Sequence, residues 1–161
     1  MSERKLFAII GCSKEKANIK RLNKHGDDWI AAQDLYVSDL FRKRKAHVES
    51  RNIPWFIASA GSGLVAPITP MRTYDKTIAD MDAIDRAAWY VGVASELIDR
   101  LYYDHDIRDL RHVAIELHAG ADYCEPLDKI LELLGVEVIR PTKGLGIGQQ
   151  LAYYSQAGVG A

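Results

Sequence analysis

In the segment IIGCSKEK (residues 9–16), an apolar run and a glycine are followed at once by Cys12, Ser13, Lys14 and Lys16. A thiol beside cations near a helix N-terminus has a lowered pKa and is a candidate nucleophile. Cysteine is also a common small packing residue at the end of a strand. Ser13 and the N–H groups of residues 12–14 suit an anion such as phosphate or carboxylate, with Lys14 supplying charge. A solvated loop lysine is the plain alternative for Lys14.

A second group lies in PMRTYDKTI (residues 70–78), which brings Arg72, Tyr74 and Asp75 together in one loop. A tyrosine can stack on a planar ligand and still hydrogen-bond. An adjacent aspartate can read an amide edge or act as a base. An Asx-type turn with the tyrosine packed on the surface would look the same in sequence.

The elements that must position these residues alternate in type. KLFAII (5–10) ends at Gly11, WFIA (55–58) follows Pro54, and VAIEL (113–117) repeats the apolar pattern. Each has the length and bulk of a buried strand. VEVI (136–139) alternates and reads as an edge or half-buried strand. Between the strands, Val37, Leu40, Phe41 and Val48 mark a helix running to about Arg51. A second helix is marked by Ile84, Ala87, Ala88, Val91, Ile98 and Leu101, with Asp82 as N-cap. Leu127, Ile130, Leu131 and Leu134 mark a third, stopped by Gly135, and GQQLAYY opens a last one. The expected fold is therefore a single three-layer α/β/α domain spanning residues 1–161. Its mostly parallel sheet of four or five strands should contain 5–11, 54–59, 112–118 and 136–140. Segments 17–30 and 60–80 have no assigned element and are long enough to be functional.

In open parallel sheets, ligands bind beyond the carboxyl ends of the strands. There the chain carries GCSKEK, SAGSGLVAP, HAGADY and RPTKGLGIGQQ, each with a glycine within a few residues. Four such loops at one edge point to a small-molecule or nucleotide pocket, although βα turns favour glycine in any case. GSG (61–63) is not a nucleophile elbow, and GLGIG (144–148) is not a dinucleotide fingerprint. The spacing of His112, His118 and Cys124 argues against zinc, and no metal or cofactor is expected. FRKRK (41–45) spreads its charge over more than one helix face, as a solvated surface does; a phosphate-backbone contact is the sharper alternative.

Composition sets outer bounds. The chain has 161 residues, 48% hydrophobic and 27% charged, with formal net charge −1. That balance argues against a strongly nonspecific nucleic-acid binder. No apolar run approaches the roughly 18 residues of a membrane helix. The two cysteines make no disulfide framework, and a cytoplasmic location is expected.

Taken in order, GCSKEK, AQDLYVSDLFRKRKAHVE, PWFIASAGSGLVAP, YDKTI, HAGADYCEPL and GLGIGQQLAYY resemble a poorly characterised bacterial and phage domain family. The resemblance covers nearly the whole chain. The family is distantly similar to the peroxide-stress protein YaaA and to the core domain of archaeosine synthase, relatives associated with DNA binding and deazaguanine base modification. The resemblance implies a nucleobase or nucleic-acid setting and does not supply a reaction; the first reading is an enzyme acting on a nucleobase, nucleoside or nucleotide by glycosidic-bond cleavage, base exchange or base modification. A non-catalytic nucleotide- or nucleic-acid-binding module is the alternative. The implied ligand is a free nucleobase, nucleoside or nucleotide, or one within DNA or RNA; a homodimer is compatible with it.

The motif positions here are Cys12, Ser13, Lys16, Tyr36, Ser38, Phe41, Ser59, Gly63, Leu64, Pro67, Tyr74, Asp75, Gly120, Tyr123, Gly144, Gly146 and Gln149. Asp75, Cys12 and Ser13 become the candidate catalytic groups. Lys14, Lys16, Tyr36, Ser38, Ser59, Gly61, Arg72, Tyr74, Gly120, Tyr123, Gly146 and Gln149 become candidate substrate contacts. One departure stands out: where the family pattern reads S-A-K, this chain has SAG, with Gly61 in the lysine's place. Lys14, Lys16 or Arg72 would have to substitute for that lysine, or the activity differs.

Overall fold

A computed structural model describes residues 3–17 and 29–159. Its centre is the run Phe7–Ile10 in strand β1 (Lys5–Gly11), four residues of which at most 1% of the surface is accessible. A strand buried on both faces must be flanked by strands and covered by helices, and β1 is. β3 (Trp55–Ser59) lies parallel to it on one side and β6 (Val113–His118) on the other. β7 (Glu137–Ile139) adds in parallel beyond β6, giving the parallel order β3-β1-β6-β7. The expected strands are all present, and VEVI does form an edge.

Segment 60–80, expected without an element, carries two short strands. The chain turns back after β3 as β4 (Gly63–Val65), antiparallel to it, so the sheet has five strands and one antiparallel edge. β2 (Ile30–Ala31) and β5 (Pro70–Met71) then pair as a separate two-stranded ribbon. Runs of two or three residues leave no periodicity to read. Most of segment 17–30 lies outside the described residues.

Alternate residues of the strands feed two cores. Phe7, Ile9, Phe56, Ala58, Val113, Ile115 and Leu117 face helices α3 (Ala83–His105) and α5 (Leu127–Leu133). Ala8, Ile10 and Ile57 face the opposite layer, where α1 (Ala32–Leu35) and α2 (Asp39–Ser50) contribute Leu35, Phe41 and Val48. Helix α6 (Ile147–Val159) packs on α2, and the short α4 (Ala121–Cys124) follows β6.

Asp82 caps α3 as expected, accepting from the Asp85 N–H at 2.8 Å, and Gly135 ends the turn after α5 at φ +99°. The buried face of α3 differs from the expected set. It consists of Tyr90, Val93, Ala94, Leu97 and Leu101. Ile84, Val91 and Ile98 are turned outward and 80%, 61% and 37% exposed.

Candidate functional site

Ser59 is the last residue of β3 and is fully buried, at the carboxyl edge of the sheet. A buried hydroxyl needs partners, and Ser59 Oγ has four contacts of this kind. It accepts the N–H groups of Gly61 at 3.2 Å and Ser62 at 3.1 Å, because the chain reverses there into β4. It also accepts the Tyr36 hydroxyl at 3.1 Å and donates to Tyr74 Oη at 3.0 Å. Tyr36 and Tyr74 hydroxyls are 2.8 Å apart, so the three groups close a ring in which each donates to the next. The fifth contact of the residue is through its carbonyl, which accepts the Trp89 indole N–H at 2.9 Å.

Three elements meet here. Tyr36 stands at the end of α1, Ser59 at the end of β3 and Tyr74 on the loop after β5. Burial pushes the Tyr36 hydroxyl up to about 12, against the opposing effect of its Ser59 and Tyr74 hydrogen bonds. Burial also raises Tyr74 and Tyr123. All three are neutral hydrogen-bond donors at ordinary pH.

Cys12 lies next to this ring. Its Sγ is 3.2 Å from Tyr123 Oη and accepts the Ala60 N–H at 3.4 Å. The expected setting for an anion is altered, because the Cys12 N–H is spent on the Ala58 carbonyl at 3.0 Å and no helix begins among residues 12–17. Ser13 Oγ donates to the Glu15 carbonyl at 2.9 Å. Lys14 is exposed. Lys16 bridges antiparallel to Tyr36 and holds its ammonium 4.3 Å from the centroid of the Tyr74 ring, a cation–π contact.

Gly61 lies against the same ring. Beside Gly61 and Tyr74 opens a cavity of about 300 Å³ lined also by Trp29, Val65, Met71 and Arg72. The Arg72 guanidinium stacks 4.9 Å over the Trp29 ring. The structure thus gathers Cys12, Lys16, Tyr36, Ser59, Gly61, Tyr74 and Tyr123 in one cluster, with Arg72 on the adjoining cavity. With Lys16 over the Tyr74 ring, the aromatic surface offered to a planar ligand is shared with Trp29, which the sequence did not single out.

The other expected residues have local duties. Ser38 caps α2, accepting the Phe41 N–H at 3.2 Å. Gly120 is the N-cap position of α4. Gln149 Oε1 accepts the Gly146 N–H at 3.1 Å in the first turn of α6. Asp75 is exposed and makes no hydrogen bond or ion pair among the described residues.

A second polar cluster went unread in the sequence. Glu116 and His118 project from β6 toward α2 and α6 and are 5% and 0% exposed. His118 Nε2 is 2.8 Å from Glu116 Oε1 and its Nδ1 is 2.7 Å from Tyr154 Oη. Arg51 clamps both Glu116 oxygens at 2.8 Å, and its Nη1 is 3.0 Å from His47 Nε2. His47, Glu116 and His118 place one nitrogen or oxygen each within 4.8 Å of one another, a grouping that linear spacing conceals. Here the Arg51 guanidinium supplies the positive charge, and its bidentate bond engages both carboxylate oxygens. Burial pushes the Glu116 carboxyl up, but the His118 and Arg51 hydrogen bonds outweigh it and hold it at about 2.

Residues 7–156 match the model of a family of unknown function, DUF6884, and the chain belongs to that family. No curated protein and no solved structure shows significant similarity to it. Among the described residues, no helix is long and apolar enough to cross a membrane.

Proposed function

We propose that this protein binds a nucleobase, nucleoside or nucleotide at the carboxyl edge of its sheet and acts on it by glycosidic-bond cleavage, base exchange or base modification. The observation that carries this reading is the cavity beside Tyr74. It combines the flat surfaces of Trp29 and Tyr74 with the Arg72 guanidinium. Small-ligand sites are concave, mostly apolar and fixed by few polar groups, and this one has that character. Behind Tyr74, the buried hydroxyls of Tyr36 and Ser59 hold that side chain in place at the cavity wall. Lys16, with its ammonium over the Tyr74 ring, is the cation set to meet a phosphate or sugar. The family's distant similarity to YaaA and to the archaeosine synthase core domain supports the same substrate class. Asp75, one residue beyond Tyr74, is the available carboxylate and carries the role of base or amide reader.

The alternative is a binding module without catalysis. It is favoured by two features: Gly61 stands where the related pattern has lysine, and the hydroxyl cluster itself contains no carboxylate. Thermal-shift screening against nucleobases, nucleosides and nucleotides tests the shared part of both readings, since a ligand that binds only the folded state raises Tm. Mass analysis of the bound compound after incubation separates them: a released or altered base supports the enzyme, an unchanged ligand the module. Failure of every compound, with single-stranded and duplex DNA and RNA included, overturns both. Steep weakening with salt would identify a nucleic-acid backbone as the ligand.

A further inference from the structure

Helix α3 is 23 residues long, and among the described residues only one of its two apolar faces is covered. Tyr90, Val93, Ala94, Leu97 and Leu101 pack on the sheet. A second stripe, Ile84, Ala88, Val91, Ser95, Ile98 and Tyr102, lies roughly 120° around the helix at 3.6 residues per turn. Ile84 is 80% exposed, Val91 61%, Ile98 37% and Tyr102 43%, and Ala88 and Ser95 are exposed too. Single exposed apolar residues are ordinary, whereas a continuous stripe along a helix marks a contact surface.

The spacing of the stripe says what would cover it. Its steps are four, three, four, three and four residues, the alternation of a coiled-coil seam, which packs on another helix. That order reads the same in both directions, so an identical helix running antiparallel meets it in register about a two-fold axis near Val93. In that register Val91 lies on the partner's Ser95, Ile98 on the partner's Ala88, and Ile84 on the partner's Tyr102. The two central layers then set a large side chain against a small one, which is the condition for interdigitation. The ends match in charge. Arg108, whose guanidinium is 5.3 Å over the Tyr102 ring, comes beside the start of the partner helix, where Asp82 and Asp85 are exposed. The seam is about 27 Å long at 1.5 Å per residue.

We infer that the protein forms a two-fold homodimer through an antiparallel α3–α3 seam. This interface is isologous, as most dimer interfaces are.

Light scattering coupled to size exclusion tests it. The expected wild-type mass at high micromolar concentration is twice 18.0 kDa, falling toward the monomer on dilution. Val91→Glu and Ser95→Lys, each on an exposed position, should give monomers with an unchanged circular dichroism spectrum. The double variant Val91→Glu/Ser95→Lys should recover the dimer, because in the antiparallel register each new glutamate faces a new lysine. A parallel seam would instead set glutamate on glutamate, and the double variant would stay monomeric. A wild-type monomer at all concentrations overturns the inference. A dimer that survives Val91→Glu overturns it as well, as does failure of the double variant to recover.

Discussion

The Tyr74 ring lies directly against Gly61: a Cβ placed on residue 61 would stand 2.9 Å from Cγ of that ring. The contact is with the base of the ring, which is fixed by Lys16 above it, by the hydrogen bond its hydroxyl accepts from Ser59 and by the one it shares with Tyr36. The glycine at this position and the inward Tyr74 are thus two parts of one arrangement. A lysine at position 61 and this placement of Tyr74 are mutually exclusive, whatever the charge of the site.

Gly61→Ala should therefore displace Tyr74 and open the hydroxyl ring. A forced shift of this kind costs about 1–3 kcal/mol. Chemical denaturation should show the loss, and Gly61→Ala/Tyr74→Ala should lose less than the two single variants combined, because removing the ring removes the clash. Strict additivity would show that the ring is free to move.

Ser59→Ala removes the acceptor shared by the Gly61 and Ser62 N–H groups. Leaving buried polar groups unpaired costs about 1–3 kcal/mol. Tyr36→Phe removes one hydroxyl from the same ring but leaves those two N–H groups satisfied. The expected order of stability by urea denaturation is wild type, then Tyr36→Phe, then Ser59→Ala. Equal stability of Ser59→Ala and wild type would show that water replaces the hydroxyl without loss.

Acid should weaken the fold in two stages. Burial first, then Arg51 and His118, lower the His47 pKa below its ordinary 6.5. The unfolded chain therefore takes up a proton more readily there, and stability is lost as pH falls below about 6.5. Glu116 is held at about 2 against an ordinary 4.5, so its contribution is complete above about 4.5 and is lost as pH falls toward 2. Melting temperatures from pH 8 to 2 should decline through both windows. Glu116→Gln should lower Tm at pH 7 and flatten the decline below 4.5. An unchanged slope in that window would assign the acid sensitivity to other groups.

The parallel sheet was legible because its strands are long apolar runs separated by helical periods, and the Asp82 cap and Gly135 stop were legible because each is a local device. The exposed face of α3 misled for a physical reason. The helix has two apolar stripes, and periodicity alone does not say which one meets the sheet. The members of the Tyr36, Ser59 and Tyr74 cluster were singled out through motif resemblance, but their joining as one hydroxyl ring depends on β4 reversing the chain at Gly61. Glu116 and His118 were read only as part of a strand and its flank. Their polar face became visible once α2 brought His47 and Arg51 across to them, and no spacing along the chain carries that pairing.

Asp75 gives the most direct test of the proposed chemistry. It follows Tyr74 on the loop that lines the cavity, yet it is exposed and bound to nothing among the described residues. A carboxylate with a structural role in a turn would accept nearby N–H groups, as Asp80 does from Thr77 at 2.9 Å. Asp75 has no such duty, so Asp75→Asn should leave Tm within about half a degree to two degrees of wild type, the range of a surface change of a few tenths of a kcal/mol. Loss of one hydrogen bond to a charged group costs about 1.5–3 kcal/mol, so affinity or turnover for the compound found by thermal shift should fall roughly 10- to 100-fold. Calorimetric titration of both proteins reads the affinity. Unchanged binding and turnover in Asp75→Asn would remove Asp75 from the site and leave Tyr74, Trp29 and Arg72 as a binding surface without a base.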